Sequence, residues 1–238
     1  MNSDNQSVIA IVPAAGIGAR MGATIPKQYL ALGEQSILAH TLDSLISHKN
    51  IKQVIVALHP DDTFFGSLSQ ASHPKVKTVI GGGERADSVL CALNCIDESS
   101  HESPWVLVHD AARPCLTHDD IEKLLHARIE HPQGAILAMP VRDTMKRSNG
   151  SSDIISETVS RENLWHALTP QLFPCSSLQQ HLSDALKQGV QITDEASAME
   201  WAGIQPGLVS GRADNIKVTH PDDLQLALLF LTHIHSLK

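Results

Sequence analysis

The sequence predicts an α/β protein with an open, largely parallel, twisted sheet flanked by helices, and three observations carry that expectation. Short apolar runs rich in Val and Ile recur along the chain, each with the length of a fully buried strand. Segments with apolar residues at helical spacing lie between them. Glycine-rich turns follow two of the runs, and a chain that alternates strand and helix in this way returns to one sheet by right-handed crossovers.

Taken in order, Val8 to Val12 is the first buried strand and feeds a glycine loop. Ser36 to Ser47 reads as a helix with Ile37, Leu38, Leu42, Leu45 and Ile46 on one face, and Gln53 to Leu58 as the next strand, completing a β-α-β unit. Val76 to Ile80 is a further strand, running into the turn Gly81-Gly82-Gly83 and a helix that carries Val89, Leu90, Leu93 and Ile96. Trp105 to His109 is another strand, Thr117 to Asp120 looks like a cap for the helix after it, and Gly134 to Pro140 returns as a strand. The pattern then breaks. Val141 to Ser148 and Ile154 to Ser160 flank Ser148-Asn149-Gly150-Ser151-Ser152-Asp153, a strong turn signal, and read as a β-hairpin. Neither half has the apolar residues to stand alone in water, so the hairpin lies on the body or is buried against a second subunit; a protruding arm that makes a homodimer is the expectation. Leu164 to Gln171 comes next, then helices near Ser176 to Gln188 and Glu195 to Ala202, a strand at Asn215 to Val218, and a last helix from Asp222 to His235. The whole reads as a single Rossmann-like domain over residues 1–238, with the arm at about 141–162.

Composition narrows the partners. A chain of 238 residues fits one large α/β domain or two small ones, one being the expectation, and 42% apolar content is ample for a core. A net charge of -8 argues against nucleic acid or an anionic membrane as the main partner, so the placement of the few cations matters more than their number. Met1 to Ser7 lacks the basic region and apolar core of a signal peptide, and no apolar run approaches a membrane span, which predicts a soluble, cytoplasmic protein. Cys91, Cys95, Cys115 and Cys175 form no C-x-x-C pair; Cys91 and Cys95, four apart on a helix, suit a shared buried face better than a metal or disulfide site. The 14 histidines include no His-Glu-x-x-His, and no protein metal ligands are expected.

The stretch after the first strand points to chemistry. In Pro13-Ala14-Ala15-Gly16-Ile17-Gly18-Ala19-Arg20-Met21-Gly22, the small residues Ala14, Ala15, Gly16 and Gly18 let backbone amides approach a ligand closely. Arg20 and Lys27 supply two cations at the same mouth, which suits a polyphosphate. The dinucleotide fingerprint fails because Met21 stands at its third glycine, and the Walker pattern fails at the same residue. Ligands of open parallel sheets collect at the carboxyl ends of the strands. There the first loop, Gly81 to Ser88, Asp110 to Arg113 and Asn215 to Val218 should meet, bringing Arg20, Lys27, Arg85, Arg113 and Lys217 to one crevice.

These motifs, with Pro26-Lys27-Gln28-Tyr29-Leu30, Gly81-Gly82-x-x-Arg85-x-x-Ser88-Val89, His109-Asp110-Ala111-Ala112-Arg113-Pro114, Asp143-Thr144-Met145-Lys146, Arg161-x-x-Leu164-Trp165, Thr169-Pro170-Gln171, Thr193-Asp194-Glu195-Ala196 and Asn215-Ile216-Lys217-Val218-Thr219, run in order from about Val8 to Asp223. Together they resemble the 2-C-methyl-D-erythritol 4-phosphate cytidylyltransferase family. The resemblance implies transfer of CMP from CTP to methylerythritol phosphate in the non-mevalonate isoprenoid route, with release of pyrophosphate. A phosphate nucleophile is already charged at neutral pH and needs no general base, so positioning and charge neutralisation carry the reaction. Arg20 and Lys27 then stabilise the charge that builds on the transferring group, with Mg2+ held mainly by the CTP phosphates. By the resemblance, Lys217 and Arg161 hold the acceptor phosphate, Arg161 coming from the partner's arm. Asp110, Arg113, Thr144, Thr169 and Thr193 correspond to contacts with the sugar alcohol, and Asp110 has a second role open to it as an outer ligand of hydrated Mg2+. Ala14, Gly82 and Ser88 correspond to the cytosine pocket, with helix capping the competing reading for Ser88.

Other functions share parts of this pattern. A ribitol-5-phosphate cytidylyltransferase would differ only in the polyol pocket. A metal-dependent glycosyltransferase would normally present Asp-x-Asp, which the sequence lacks. A non-catalytic nucleotide-binding module fits poorly with Arg20, Lys27 and Lys217 all in place.

Overall fold

In a computed structural model, which describes residues 8–16, 25–97, 104–150 and 153–236, the expected alternation of strands and helices is present. Strand β1 (Val8–Ala14) leads through a short hairpin, β2 (Ala31–Leu32) and β3 (Gln35–Ser36), to helix α1 (Ile37–Ile46). Ser36 starts that helix by accepting a hydrogen bond from the Ala39 amide at 3.2 Å. Next come β4 (Ile51–Leu58), β5 (Val76–Ile80), α2 (Arg85–Leu93), β6 (Trp105–Val108), α3 (His118–Ala127) and β7 (Ala135–Pro140). The chain then leaves the sheet for the hairpin β8 (Met145–Ser148) and β9 (Ile155–Val159) and returns as β10 (Trp165–Pro174). Helices α4 (Cys175–Lys187) and α5 (Glu195–Trp201), strand β11 (Gly207–Ser210) and helix α6 (Asp222–Ser236) complete it.

Seven strands form one sheet in the order β11-β7-β10-β6-β1-β4-β5. All neighbours are parallel except β10, which runs antiparallel to both β6 and β7. The arm explains the reversal: Pro140 leaves the sheet and Trp165 re-enters opposite it, so the hairpin folds the chain back beside β7. Gly134, at φ +120°, makes room for that return, because a Cβ there would lie 2.0 Å from the Phe173 ring.

Strand alternation sorts the core into two layers. Val8, Ala10 and Val12 face α1 and α3 through Leu38, Leu42, Ile121 and Leu124. Ile11, Val106 and Val108 face α2, α4 and α5 through Val89, Leu178 and Met199. Helix α6 closes a third cluster with Ile37, Cys115 and Val218, which ties the segment before it to the sheet end. Among the described residues no helix is long and apolar enough to cross a membrane.

Two expectations need correction, and two stretches without an expected element prove to be strands. Asn215 to Val218 is not a strand: the Asn215 carbonyl accepts from Arg113 and the Val218 amide donates to the Ala112 carbonyl, so its backbone bonds go to the site rather than to a ladder. Leu164 to Gln171 lies mostly within β10, and β11 stands at the sheet edge where no strand was expected. Cys91 and Cys95 do not share a buried face, because α2 ends at Leu93 and leaves Cys95 exposed.

Candidate active site

The start of the first loop, Ala14 to Gly16, is pinned by a side chain from the Pro-Lys-Gln motif. Gln28, 4% exposed, donates from Nε2 to the carbonyls of Ala14 at 2.8 Å and Gly16 at 3.2 Å. Tyr29 anchors the same 3-10 turn by donating to Asp62 at 2.7 Å and stacking on Phe64. Burial, then Asp62, raises the Tyr29 hydroxyl far above the usual tyrosine range. Lys27 thus starts from a fixed base, and its Nζ donates to the Val218 carbonyl at 3.4 Å.

The second glycine turn is held as tightly. The Gly81 amide donates to the Leu58 carbonyl at 2.8 Å, and the Gly82 amide to Ser88 Oγ at 3.2 Å. Ser88 in turn donates to the Glu84 carbonyl at 3.1 Å, while Glu84 and Asp87 form a capping box at the start of α2. Ser88 is not the cap, a place Glu84 and Asp87 fill; its hydroxyl shapes the turn, and the residue lines the cavity the turn opens on.

That cavity holds about 410 Å³, a size suited to a nucleotide-scale ligand. Ala14, Ala15 and Gly16 form one wall, Gly82 to Arg85 and Ser88 another, and Lys27 and Lys217 its cationic end. A second cavity of about 240 Å³ includes Arg113, Thr169 and Thr193 in its lining. Arg85, Asp110 and Lys217 line both, so the two spaces meet across these three side chains.

The shared wall is a network of charges. Asp110 takes Arg85 Nε on Oδ1 at 2.9 Å, and Lys217 Nζ at 2.9 Å with Arg113 Nε at 3.4 Å on Oδ2. Burial alone would raise the Asp110 carboxyl, but Arg85, Lys217 and Arg113 overcome that and hold it well below the usual carboxylate range. Glu195, 2% exposed at the start of α5, grips Arg85 with both oxygens, at 2.6 and 3.1 Å. Burial works against the Arg85 charge, yet Glu195 and Asp110 more than offset it. Arg85 is thus a partner of two carboxylates first and a wall of the nucleotide cavity second. Arg113 is lowered by burial, against the pull of Asp110.

Of the residues singled out from the sequence, Ala14, Ala15, Gly16, Lys27, Gly82, Arg85, Ser88, Asp110 and Lys217 come together in the first cavity, and Arg113, Thr169 and Thr193 in the second. Gly18 and Arg20 lie outside the described residues. Thr144 and Arg161 line neither cavity: both are exposed at the base of the arm, where Arg161 Nη1 donates to the Arg142 carbonyl. Gln28 and Glu195 were quoted only as parts of motifs. Their nearly complete burial, which spacing does not reveal, marks them as site-building residues. Among the described residues no group of three or more His, Cys, Asp or Glu is placed to hold a metal ion.

Two cavities that share the wall of Arg85, Asp110 and Lys217, the first of nucleotide scale, suit a nucleotidyltransferase. The family model for 2-C-methyl-D-erythritol 4-phosphate cytidylyltransferase (IspD) matches residues 8–233. A protein of that name from Shewanella halifaxensis is 67% identical over 97% of this chain and 98% of its own. One from Shewanella oneidensis is 69% identical over 95% and 89%. The crystal structure of the Francisella tularensis enzyme superposes with a TM-score of 0.82 at 37% identity, covering 94% of this chain and 99% of that one. The chain belongs to the 2-C-methyl-D-erythritol 4-phosphate cytidylyltransferase family.

Proposed function

We infer that the protein transfers CMP from CTP to 2-C-methyl-D-erythritol 4-phosphate, forming 4-diphosphocytidyl-2-C-methyl-D-erythritol and pyrophosphate. The observation that carries this reading is the wall of Arg85, Asp110 and Lys217 common to both cavities, where a triphosphate and a phosphorylated alcohol would face each other. An oxygen of the acceptor phosphate attacks the α-phosphorus in line. The new P–O bond forms as the bond to the β-phosphate bridge breaks, and pyrophosphate leaves with the electron pair. Lys27, with Arg20, is assigned to the charge that develops on the transferring group. Lys217 is assigned to the acceptor phosphate, its ammonium held meanwhile by Asp110. Ala14, Gly82 and Ser88 are assigned to the cytosine, and Arg113, Thr169 and Thr193 to the polyol.

Mg2+ belongs to the same proposal. Both oxygens of Asp110 are engaged by cations, so this chain offers an ion carried in by the triphosphate an outer-shell partner rather than a direct carboxylate ligand. The ion would neutralise phosphate charge. The chain is proposed to act as one domain and as a homodimer in the cytoplasm. Ile154 and Ile155, 67% and 60% exposed on the arm, support a partner surface there, and the arm would bring Thr144 and Arg161 to the other subunit's cavity.

The test is pyrophosphate release with each of the four nucleoside triphosphates against methylerythritol phosphate and ribitol 5-phosphate. Release confined to CTP with methylerythritol phosphate supports the reading, and preference for ribitol 5-phosphate or another nucleotide overturns it.

A further inference from the structure

Behind the second cavity, four buried residues close a ring of hydrogen bonds. Thr169 Oγ1, on β10, lies 3.1 Å from His109 Nδ1 at the end of β6, and His109 Nε2 lies 3.0 Å from the Arg113 carbonyl. Arg113 Nη1 donates to the Asn215 carbonyl at 2.6 Å, and Asn215 Nδ2 donates back to the Thr169 carbonyl at 2.8 Å. None of the four is more than 8% exposed.

The chemistry of the ring sets the positions of its protons. A carbonyl only accepts, so His109 Nε2 must carry the hydrogen that reaches Arg113. The neutral imidazole then has a bare lone pair on Nδ1, and the Thr169 hydroxyl donates into it. The Asp110 amide donates to the same hydroxyl oxygen at 3.1 Å. The hydroxyl's one hydrogen and one of its two lone pairs are thereby engaged, which leaves a single lone pair for the cavity that Thr169 lines.

We propose that His109 is a positioning residue that makes Thr169 a hydrogen-bond acceptor only, so that the second cavity selects a phosphorylated alcohol presenting an O–H donor at that point. This deepens the cytidyl-transfer reading above and rests on it. An acceptor whose hydroxyl there is replaced by hydrogen would leave a buried lone pair unmatched, the situation in which polar sites discriminate strongly. Protonation of His109 would reverse the arrangement: Nδ1–H would donate to Thr169, whose own hydrogen would turn away from the ring. The charged groups facing the imidazole are Asp110, Arg113 and Arg85. Burial dominates, lowering His109 to about 4, while the Arg113 carbonyl and Asp110 act in the other direction.

The full-length protein, labelled with nitrogen-15 at histidine, tests this directly. His109 should show the Nε2–H tautomer at neutral pH. An Nδ1–H tautomer overturns the proposal. In parallel, His109→Gln and Thr169→Val should raise KM for methylerythritol phosphate about tenfold while KM for CTP moves by less than about twofold. Thr169→Ser, which keeps the hydroxyl, should recover most of the loss seen in Thr169→Val. An unchanged acceptor KM in Thr169→Val, or equal losses for both substrates, contradicts the proposal. If His109→Gln does not fold, the tautomer measurement on the unmodified protein still decides. Failure of the unmodified protein to release pyrophosphate would instead remove the cytidyl-transfer reading, while the tautomer result would stand.

Discussion

Nζ of Lys217 lies 2.9 Å from Oδ2 of Asp110, whose other oxygen is held at 2.9 Å by Nε of Arg85. The cation assigned to the acceptor phosphate is therefore already paired when no acceptor is bound. An incoming phosphate competes with a carboxylate that Arg85 and Arg113 hold in place, so Lys217 is presented in one position rather than searching for it.

Removing that carboxylate should be costly. Asp110→Asn leaves buried Arg113 short of a counter-charge and half-buried Arg85 with Glu195 alone, and removing one partner of a buried ion pair costs about 3 to 5 kcal/mol. Urea unfolding of the two proteins at neutral pH measures the difference, and a loss below about 1 kcal/mol would show that the network adds little.

Acid should destabilise the protein in two steps. His109 has a folded value of about 4, below its unfolded one, so the unfolded chain binds the proton first. Its contribution, on the order of 3 kcal/mol, is complete above about pH 6.5 and is lost as the pH falls toward 4. Asp110, also depressed, contributes fully above about pH 3.9 and loses that contribution only at lower pH, as its folded value is approached. Urea midpoints at several pH values between neutrality and 4 should decline, and a flat profile would contradict the burial of a neutral His109.

Gly82→Ala should weaken CTP binding more than Gly83→Ala. A Cβ on Gly82 would lie 2.2 Å from the Asp87 Cβ and 3.2 Å from its backbone carbon, which a side-chain rotation cannot relieve. One on Gly83 meets nothing closer than the Asp87 carboxylate at 3.8 Å. The Gly82 variant should raise KM for CTP about tenfold or more, the size of a disturbed set of backbone contacts. Equal KM values in the two variants would show that the turn is not shaped for the nucleotide.

Lys27→Ala should lower kcat by about 10² to 10³, the usual loss when one transition-state donor is removed. Its melting temperature should stay close to that of the parent, because Lys27 is half-buried and its carbonyl contact with Val218 is long, at 3.4 Å. Near-normal turnover would overturn the role assigned to it.

Arg161→Ala should raise KM for methylerythritol phosphate. Mixing it with Lys27→Ala should restore part of the activity, since a mixed dimer contains one site with both residues intact. Absence of any recovery would place Arg161 in its own subunit's site.

Much of this was legible from residue order. Helix α1 starts at Ser36 and stops at Ser47, whose hydroxyls announce its ends, and β5 matches the run Val76–Ile80. Strand β10 was hidden because Pro170 and Pro174 lie within it, and proline normally marks a strand's margin. Ile216 and Val218 suggested a strand where burial in the α6 cluster was the actual reason for apolar side chains. The cations were visible, but their counter-charges were not: Glu195 meets Arg85 across 110 positions, a pairing only the fold creates. His109 likewise looked like an idle member of its motif until Thr169 was brought beside it.

One crevice is assigned to join a CTP α-phosphorus to a phosphorylated alcohol. Phosphorus-31 NMR of the purified protein with CTP, Mg2+ and methylerythritol phosphate follows every phosphorus at once. Pyrophosphate and a diphosphate diester should grow at equal rates, with neither formed when the acceptor is left out. Pyrophosphate accompanied by free CMP, or CTP left unchanged in the complete mixture, would contradict it.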